Sequence, residues 1–198
     1  MALITTWADK GQSGKSTLVA SAAYRFGWPV VNLDPHRDIE RWAQRLQHPC
    51  HYPETVADAR RVLADMASKP TPVLVDTPHG VGEDVFEALR LSSVVVMPTG
   101  PGEPARAALV RALDALHEHA PQAKVAVFLN NFRSNVTDHQ NVDASLILYG
   151  AKRGFTYLGN LGNAAPVERI LSAGADPMKS GATAHQMRRI LTTLETLI

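Results

Sequence analysis

A segment rich in glycine and hydroxyl side chains near the start of the chain has the composition of a phosphate-binding loop. Residues 11–17 are Gly-Gln-Ser-Gly-Lys-Ser-Thr, between an apolar run and a helical pattern. Glycines let successive backbone N–H groups point toward phosphate oxygens, and the positive end of the following helix adds to the attraction. In such a loop Lys15 reaches the β- and γ-phosphates, and the Ser16 hydroxyl ligates Mg²⁺. The predicted nucleotide-binding residues of this loop are Gly11, Gln12, Ser13, Gly14, Lys15, Ser16 and Thr17.

Two acidic residues follow apolar runs farther along the chain. Asp34 follows residues 29–33, and Asp76 follows residues 72–75. Ligands of open α/β sheets bind at the carboxyl ends of strands, so we expect both carboxylates to lie near the phosphate loop. Asp76 would support Mg²⁺ through bound water, and Asp34 would hold a metal-bound water and orient the attacking water. The predicted metal-binding set is therefore Ser16, Asp34 and Asp76.

Short apolar runs alternate with helix-length segments along the chain. The runs are rich in Val, Ile and Leu without polar alternation, which is typical of strands buried on both faces of a parallel sheet. This alternation indicates βαβ units with right-handed crossovers. The predicted strands are Ala2–Trp7, Pro29–Leu33, Pro72–Val75, Val94–Pro98, Val125–Leu129 and Phe155–Leu158. The predicted helices are Ser16–Phe26, Glu54–Ala67, Asp84–Leu91, Glu103–His119 and Thr183–Leu197, and Asp38 is suited to cap another helix through Leu46.

Length and composition are those of one globular domain. The chain has 198 residues, of which 45% are hydrophobic and 20% charged, and this composition excludes disorder over the whole chain. We expect a single α/β P-loop domain over residues 1–198, with a mostly parallel, doubly wound sheet flanked by helices. The one cysteine, Cys50, excludes an internal disulfide. The chain has no leader-like start and no long apolar run, so we expect a cytoplasmic protein.

The phosphate loop departs from the general pattern in one respect. Asp9 stands where a glycine is usual, and Lys10 precedes Gly11, so the segment is Lys-Gly-x-x-Gly-Lys-Ser. It resembles the deviant Walker A loop of the ParA/MinD family of P-loop ATPases, and is most similar to that of small ParA-type partition proteins. The resemblance implies ATP and Mg²⁺ as cofactors and a nucleotide-sandwiched homodimer, in which Lys10 contacts the partner protomer's phosphates. The alternative is that Lys10 is a solvated surface lysine.

Two further segments resemble the acidic switches of this family. Residues 32–38, Asn-Leu-Asp-Pro-His-Arg-Asp, correspond to Asp-x-Asp-Pro-Gln-x-Ser, and Trp42 lies at about the distance of the family's aromatic residue. Residues 76–80, Asp-Thr-Pro-His-Gly, correspond to Asp-Thr-Pro-Pro-Gly. The chain departs from the family at Gln12, Asn32, His36 and His79. By this resemblance, the catalytic residues of an ATPase would be Lys10, Lys15 and Asp34.

Two asparagines are candidates for contact with the base. Asn130 and Asn131 follow the predicted strand Val125–Leu129, and members of the family often carry an asparagine there. Either side chain could bind an adenine edge, or both could be ordinary turn residues. The chain lacks the Asn-Lys-x-Asp motif of guanine recognition, which favours ATP over GTP.

The C-terminal segment has the basic residues expected of a nonspecific DNA-binding surface. Residues 152–198 contain six Lys and Arg residues and three acids, although the whole chain has a net charge of only +1. In ParA-like proteins a basic surface of the ATP dimer binds the DNA backbone, and affinity rises with the number of phosphates neutralised. The same residues could equally be solvated helix faces. The candidates are Lys152, Arg153, Arg188 and Arg189.

The resemblance implies one function and leaves two alternatives open. The expected protein is a dimerising ATPase for plasmid or chromosome partition or cargo positioning, nucleoid-associated in its ATP state, with a ParB-like or other cargo adaptor. One alternative is a metabolic ligase or kinase similar to dethiobiotin synthetase. The other is a membrane-cycling switch similar to MinD. The last predicted helix has a narrow apolar stripe and few basic residues, so we expect it to pack on the sheet without stable membrane association.

Overall fold

The computed structural model, which describes residues 2–8, 13–80, 82–179 and 181–198, contains one parallel sheet with helices on both faces. Its strands are β1 (Leu3–Thr6), β2 (Val30–Asn32), β3 (Cys50–His51), β4 (Val73–Asp76), β5 (Ser92–Thr99), β6 (Lys124–Leu129) and β7 (Phe155–Asn160). Its helices are α1 (Lys15–Phe26), α2 (Asp38–Arg45), α3 (Val56–Ser68), α4 (Glu83–Leu91), α5 (Glu103–His119), α6 (Thr137–Arg153), α7 (Ala165–Ser172) and α8 (Ala182–Glu195). The strand order is β3-β2-β4-β1-β5-β6-β7, and all neighbouring pairs are parallel.

Every strand except β3 contributes to two cores, because successive side chains point to opposite faces of a sheet. On one face, Ile4 and Phe128 pack with residues of α1, α2, α7 and α8. On the other face, Met97 and Leu129 pack with residues of α4, α5 and α6, and Val75 packs with residues of α3 and α4. The prediction of a doubly wound α/β sheet is therefore confirmed, and β1 lies at its centre with strands on either side.

The sequence pattern missed two helices and one short strand. The predicted strands and helices are all present, with ends that differ by at most two residues. In α6, Ile147 and Leu148 are exposed beside the buried Leu146, so the apolar residues do not form one stripe. The helix α7 has only eight residues and β3 only two, which leaves little periodicity to recognise.

The predicted capping role of Asp38 is wrong. Asp38 is the first residue of α2, and Arg37 occupies the cap position with a left-handed backbone (φ 57°). No side chain forms a capping hydrogen bond there. Asp38 instead provides negative charge in the first turn, where it stabilises the positive end of the helix.

The last helix packs on the sheet, as its apolar stripe predicts. Its buried side chains join the same core as Ile4 and Phe128. Within the described ranges, the chain has no helix that combines the length and the apolar character needed to cross a bilayer. The buried residues of this stripe are Ala184, Met187, Ile190, Leu191 and Leu194.

Two leucines on helices of the same face allow a matched test of this packing. Leu113 of α5 is fully buried, whereas Leu148 of α6 is 76% exposed. Leu113→Ala removes buried methyl groups and leaves a cavity, so it should lower the free energy of unfolding by about 2–5 kcal/mol. Leu148→Ala should change it by less than about 0.5 kcal/mol. Urea unfolding of both variants measures this difference, and equal losses would contradict the packing.

Candidate functional site

Three polar side chains lie at one level on the carboxyl edge of the sheet. The strand register aligns both Thr6 of β1 and Asn32 of β2 with Asp76 of β4, and all three residues are buried. The Ser16 hydroxyl donates to Oδ2 of Asp76 over 2.7 Å, and the Thr6 hydroxyl donates to Oδ1 over 3.2 Å. The carboxylate of β4 therefore contacts the first turn of α1, and two members of the predicted metal-binding set, Ser16 and Asp76, lie side by side.

Burial dominates the electrostatics of Asp76. Desolvation raises the pKa of Asp76 to about 7, although the hydrogen bond from Ser16 and the charge of Lys15 lower it. Oxygen ligands of this kind suit Mg²⁺, which prefers one or two carboxylates together with phosphate and water oxygens. The Ser16 hydroxyl and the Asp76 carboxylate thus fit the predicted metal site, since a bound cation would offset the cost of the buried negative charge.

The lysine of the phosphate loop also points into this region. Lys15 begins α1 and is only 6% exposed. Burial lowers the pKa of its amine, while the nearby carboxylates of Asp76 and Asp34 raise it. The cation is therefore held close to two carboxylates, where phosphate oxygens would provide further negative charge.

The backbone of the loop comes close to the asparagine that follows β6. Gly14 has a left-handed backbone (φ 95°), and a Cβ atom there would lie 2.6 Å from Nδ2 of Asn130. Only glycine fits this position without a shift of the neighbouring side chain. Nδ2 of Asn130 donates to the carbonyl of Ser13 over 2.8 Å, so the phosphate loop and the predicted base-contacting segment are in direct contact.

That hydrogen bond leaves the other amide atom of Asn130 without a partner. Oδ1 is buried and accepts no hydrogen bond from the described residues. A buried acceptor of this kind requires a donor, from protein, water or ligand. Asn131 differs because it is exposed and has a left-handed backbone (φ 57°), which is typical of a turn residue. Of the two candidates, Asn130 therefore has the geometry of a ligand-binding side chain.

Two consecutive side-chain turns shape the loop after β2. The backbone N–H of Asp34 donates to Oδ1 of Asn32 over 2.9 Å, and that of His36 donates to Oδ1 of Asp34 over 3.0 Å. Asp34 is half-buried, and its Oδ2 is left for a ligand because Oδ1 already accepts the turn bond. The turns thus direct the loop toward Lys15 without a direct bond between Asp34 and Asp76.

A cleft of about 1000 Å³ lies beside these groups, and the buried Asp76 is not among the residues that line it. The phosphate loop lies on one side, the Asp34 loop and α2 on another, and the segments after β6 and β7 on a third. The two histidines that depart from the family pattern, His36 and His79, also line it. Predicted site residues that line the cleft are Ser13, Gly14, Lys15, Ser16, Thr17, Asp34, Asn130 and Asn131. Lys10, Gly11 and Gln12 lie outside the described residues.

The sequence did not reveal the residues that hold the segment after β4. Nε1 of Trp7 donates to the carbonyl of Gly80 over 3.0 Å, and the Thr77 hydroxyl donates to the carbonyl of Thr6 over 2.7 Å. Together with the bond between Thr6 and Asp76, these contacts attach the Asp-Thr-Pro-His-Gly segment to the end of β1. A tryptophan or threonine at a strand end has no distinctive spacing, so no sequence signal indicated them.

A second contact missed by the sequence connects α7 to the phosphate loop. The Thr17 hydroxyl donates to Oε1 of Glu168 over 2.8 Å, and both residues line the cleft. No sequence pattern indicated this contact, because the helix that carries Glu168, α7, was not predicted. The two residues are 151 positions apart, so only the folded chain brings them together.

The four basic candidates do not form one patch. Lys152 and Arg153 end α6, whereas Arg188 and Arg189 belong to α8 on the opposite face of the sheet. Arg153 pairs with Asp114, and Nη1 of Arg188 donates to the carbonyl of Met178 over 2.6 Å. Lys152 and Arg189 are exposed. A single basic surface made of all four residues is therefore not present on one protomer.

Comparison with known proteins shows similarity at the level of the fold. No protein-family model and no curated protein matches the chain. A plasmid partition protein from Borrelia burgdorferi bound to AMPPNP has a TM-score of 0.76 and 14% identity, with 100% of this chain and 99% of that chain covered. Apo McdA from Cyanothece has a TM-score of 0.77 and 9% identity, with the same coverage. MinD in the MinC:MinD cell division complex of Aquifex aeolicus has a TM-score of 0.76 and 12% identity, over 99% and 96% of the two chains. The fold is that of the ParA/MinD-type ATPases.

The buried carboxylate makes stability depend on pH. The pKa of Asp76 in the folded state, about 7, lies above its ordinary value of 3.8, so the folded protein keeps a proton that the unfolded chain loses. The resulting stabilisation is complete below pH 3.8 and is lost as the pH rises through 7. In EDTA without nucleotide, Asp76→Asn should therefore be more stable than the natural protein at pH 8, by roughly 2–4 kcal/mol. Urea unfolding between pH 5 and pH 8 measures this effect.

Asp65→Asn is the matched control for this experiment because Asp65 is an exposed residue of α3. This variant should keep the pH dependence of the natural protein. If Asp76→Asn also kept that dependence, the ionisation of Asp76 would not be its cause.

Proposed function

We propose that this chain is an ATPase of the ParA/MinD family that uses ATP binding and hydrolysis to position DNA or another cargo. The main support is the arrangement of Lys15, Ser16 and Asp76 at the carboxyl edge of β1 and β4, where phosphoryl-transfer enzymes of this fold class need them. The fold shared with partition and cell-division ATPases over nearly the full length of both chains supports the positioning role.

The orientation of the Asn130 amide supports ATP as the nucleotide. Its Nδ2 is engaged by the Ser13 carbonyl, so the buried Oδ1 is the atom left for a ligand. Adenine has an exocyclic amine that can donate to such an acceptor, whereas guanine has a carbonyl oxygen at the corresponding position, which cannot. An acceptor in this cleft therefore favours adenine nucleotides. This geometry adds to the absence of a guanine-recognition motif in the sequence.

Mg²⁺ would be held by the Ser16 hydroxyl, with Asp76 binding through coordinated water and Asp34 completing the set. When bound there, the ion would neutralise charge on the β- and γ-phosphates. The Ser16 hydroxyl donates to Asp76 over 2.7 Å, which keeps the hydroxyl oriented toward the site. Lys15 supplies a second cation, and its burial strengthens the attraction to phosphate because little water screens it.

Asp34 is the residue in our proposal that orients the attacking water. Its loop is fixed by two backbone N–H bonds to side-chain oxygens, and the second carboxylate oxygen remains available. Hydrolysis by such a site depends on the position of the water and on charge neutralisation more than on a strong base. The two consecutive turns support this role, because they hold Asp34 in the cleft that Lys15 also lines.

The assembly and partners of this ATPase are part of the same proposal. Two protomers would close face to face over ATP, with Lys10 contacting the partner's phosphates and completing each site. The ATP dimer would bind DNA without sequence preference, and a ParB-like or other cargo adaptor would stimulate hydrolysis. Because each protomer has exposed basic residues on both faces of its sheet, a dimer would combine Lys152 and Arg189 from two copies. The neutralised phosphates would then be more numerous than on one protomer.

Replacement of Asp34 tests the hydrolytic mechanism. Asp34→Ala should retain ATP binding, because Lys15 and the loop are unchanged, and should slow phosphate release by about 100-fold or more. The variant should also accumulate as an ATP-bound dimer, which analytical ultracentrifugation detects. Asp65→Ala is the matched control, since Asp65 is an exposed residue of α3 that does not line the cleft. Unchanged ATPase activity in Asp34→Ala would remove Asp34 from the mechanism.

Fluorescence anisotropy of a labelled random-sequence duplex tests the DNA-binding part of the proposal. Binding should occur with Mg-ATP and not with Mg-ADP, and should weaken steeply as the salt concentration rises. The slope of the logarithm of the binding constant against the logarithm of the salt concentration reports the number of phosphate contacts. Lys152→Ala and Arg189→Ala should each reduce the magnitude of this slope by about 1 per protomer if that residue contacts phosphate. Absence of binding in both nucleotide states would contradict the proposed DNA binding. Liposome binding and screens of small-molecule substrates would then test the membrane-cycling and metabolic alternatives.

A further inference from the structure

The carboxylate of Glu168 is the one acidic group that α7 directs into the nucleotide cleft. Its Oε1 accepts the Thr17 hydroxyl, and its Oε2 accepts no hydrogen bond from the described residues. No lysine or arginine within those residues forms an ion pair with it. An exposed carboxylate oxygen in a binding cleft, without a cation beside it, is an acceptor for neutral donors of a ligand.

The position of Glu168 along the cleft follows from contacts at both ends of its segment. At one end, the backbone of Leu161 bonds to Leu129 over 2.7 Å and to Phe132 over 2.9 Å, so the segment before α7 lies beside Asn130. Asn163 then accepts the backbone N–H of Ala165 over 3.0 Å, where α7 begins. One helical turn later, α7 brings Glu168 to the phosphate loop.

At the other end, the contact with Thr17 locates the carboxylate beside the last residue of the phosphate loop. Glu168 therefore meets the phosphate loop at Thr17, whereas the proposed base contact, Asn130, meets it at Ser13, and both residues line the same cleft. In an adenine nucleotide the group between the base and the phosphates is the ribose. Its two hydroxyls are neutral donors, and a carboxylate accepts from such hydroxyls in other nucleotide-binding folds.

The charge of Glu168 supports a sugar contact over a phosphate contact. A carboxylate repels phosphate oxygens, and at a few ångströms this repulsion is substantial in a partly desolvated cleft. The same charge strengthens hydrogen bonds from hydroxyl groups, which are roughly twice as strong to an ionised acceptor as to a neutral one. Thr17 already bonds in this way, which leaves Oε2 for a second hydroxyl.

We propose that Glu168 contacts the ribose of the bound nucleotide and makes the site selective for ribonucleotides over deoxyribonucleotides. This inference rests on the proposed nucleotide-binding function. It assigns α7 a role in the chemistry of the site, since this helix joins the sugar contact to the phosphate loop through Thr17. It also connects the segment after β7 with the site, in addition to the segment after β6.

The test is isothermal titration calorimetry of the full chain with Mg²⁺ and three ligands: ADP, 2′-deoxy-ADP and 3′-deoxy-ADP. Diphosphates avoid hydrolysis during the measurement. The natural protein should bind ADP at least about tenfold more tightly than one of the two deoxy analogues, because a hydrogen bond to a charged acceptor is lost. In Glu168→Ala the ligands should bind with about equal affinity, since the carboxylate that accepts the hydroxyl is gone.

Two further variants make the result specific. Glu118→Ala changes an exposed glutamate of α5 on the opposite face of the sheet, and it should keep the discrimination of the natural protein. Glu168→Gln keeps a neutral acceptor and should give a preference between those of the natural protein and Glu168→Ala. This graded series measures sugar discrimination, which a purely structural contact between α7 and α1 would not change.

The outcomes separate the inference from the function on which it rests. If the natural protein binds ADP but does not discriminate among the three ligands, or if Glu168→Ala discriminates as the natural protein does, the ribose contact is wrong and nucleotide binding stands. If the natural protein binds none of the three ligands, the proposed function is wrong and the ribose contact is rejected with it.

Discussion

The burial of one carboxylate, Asp76, is the constraint on which the arrangement of the site depends. A buried charge is costly unless it is paired and hydrogen-bonded, and Asp76 has hydroxyl donors from Thr6 and Ser16 and a nearby cation, Lys15. These partners come from the end of β1 and the start of α1. Thr6 can meet Asp76 only if β1 and β4 pair in the observed register, which places the two residues side by side. The partners that the buried Asp76 needs are therefore supplied by the neighbouring central strand, β1, and by the end of the phosphate loop, where α1 begins.

The end of β1 organises the neighbouring loops in the same way. The carbonyl of Thr6 accepts a hydrogen bond from the Thr77 hydroxyl, and Nε1 of Trp7 donates one to the carbonyl of Gly80. The segment after β4 is therefore attached to the strand that leads into the phosphate loop. On the other side, Asn130 bonds to Ser13 of that loop. Loops on a rigid sheet edge keep their relative positions, which is why functional groups of parallel α/β folds collect there. The residues proposed to bind phosphate, metal and base thus lie close together at this edge.

Asn32 illustrates how a departure from the family pattern can be compatible with the site. It is fully buried at the level of Asp76, and its Oδ1 fixes the Asp34 loop. An acid at this position would put a second negative charge beside a carboxylate whose pKa is already raised by burial, and like charges raise such a pKa further. The amide keeps the turn-forming acceptor and leaves Asp76 as the one buried acid among these strand ends. The departure therefore changes the charge of the site while it preserves the shape of the loop.

The sequence by itself determined the parallel sheet, the phosphate loop and the strand ends that carry Asp34 and Asp76. These features depend on local patterns: apolar runs of strand length, glycines before a helix, and acids directly after apolar runs. The sequence did not determine α6 or α7, because an exposed apolar pair and a length of eight residues obscure their helical period. Only the tertiary structure buried Asn130 beside Ser13 and left Asn131 exposed, separated the four basic candidates between two faces, and brought Glu168 to Thr17. Those contacts join residues up to 151 positions apart, and such contacts are decided by how the helices pack on the sheet, which no local pattern encodes.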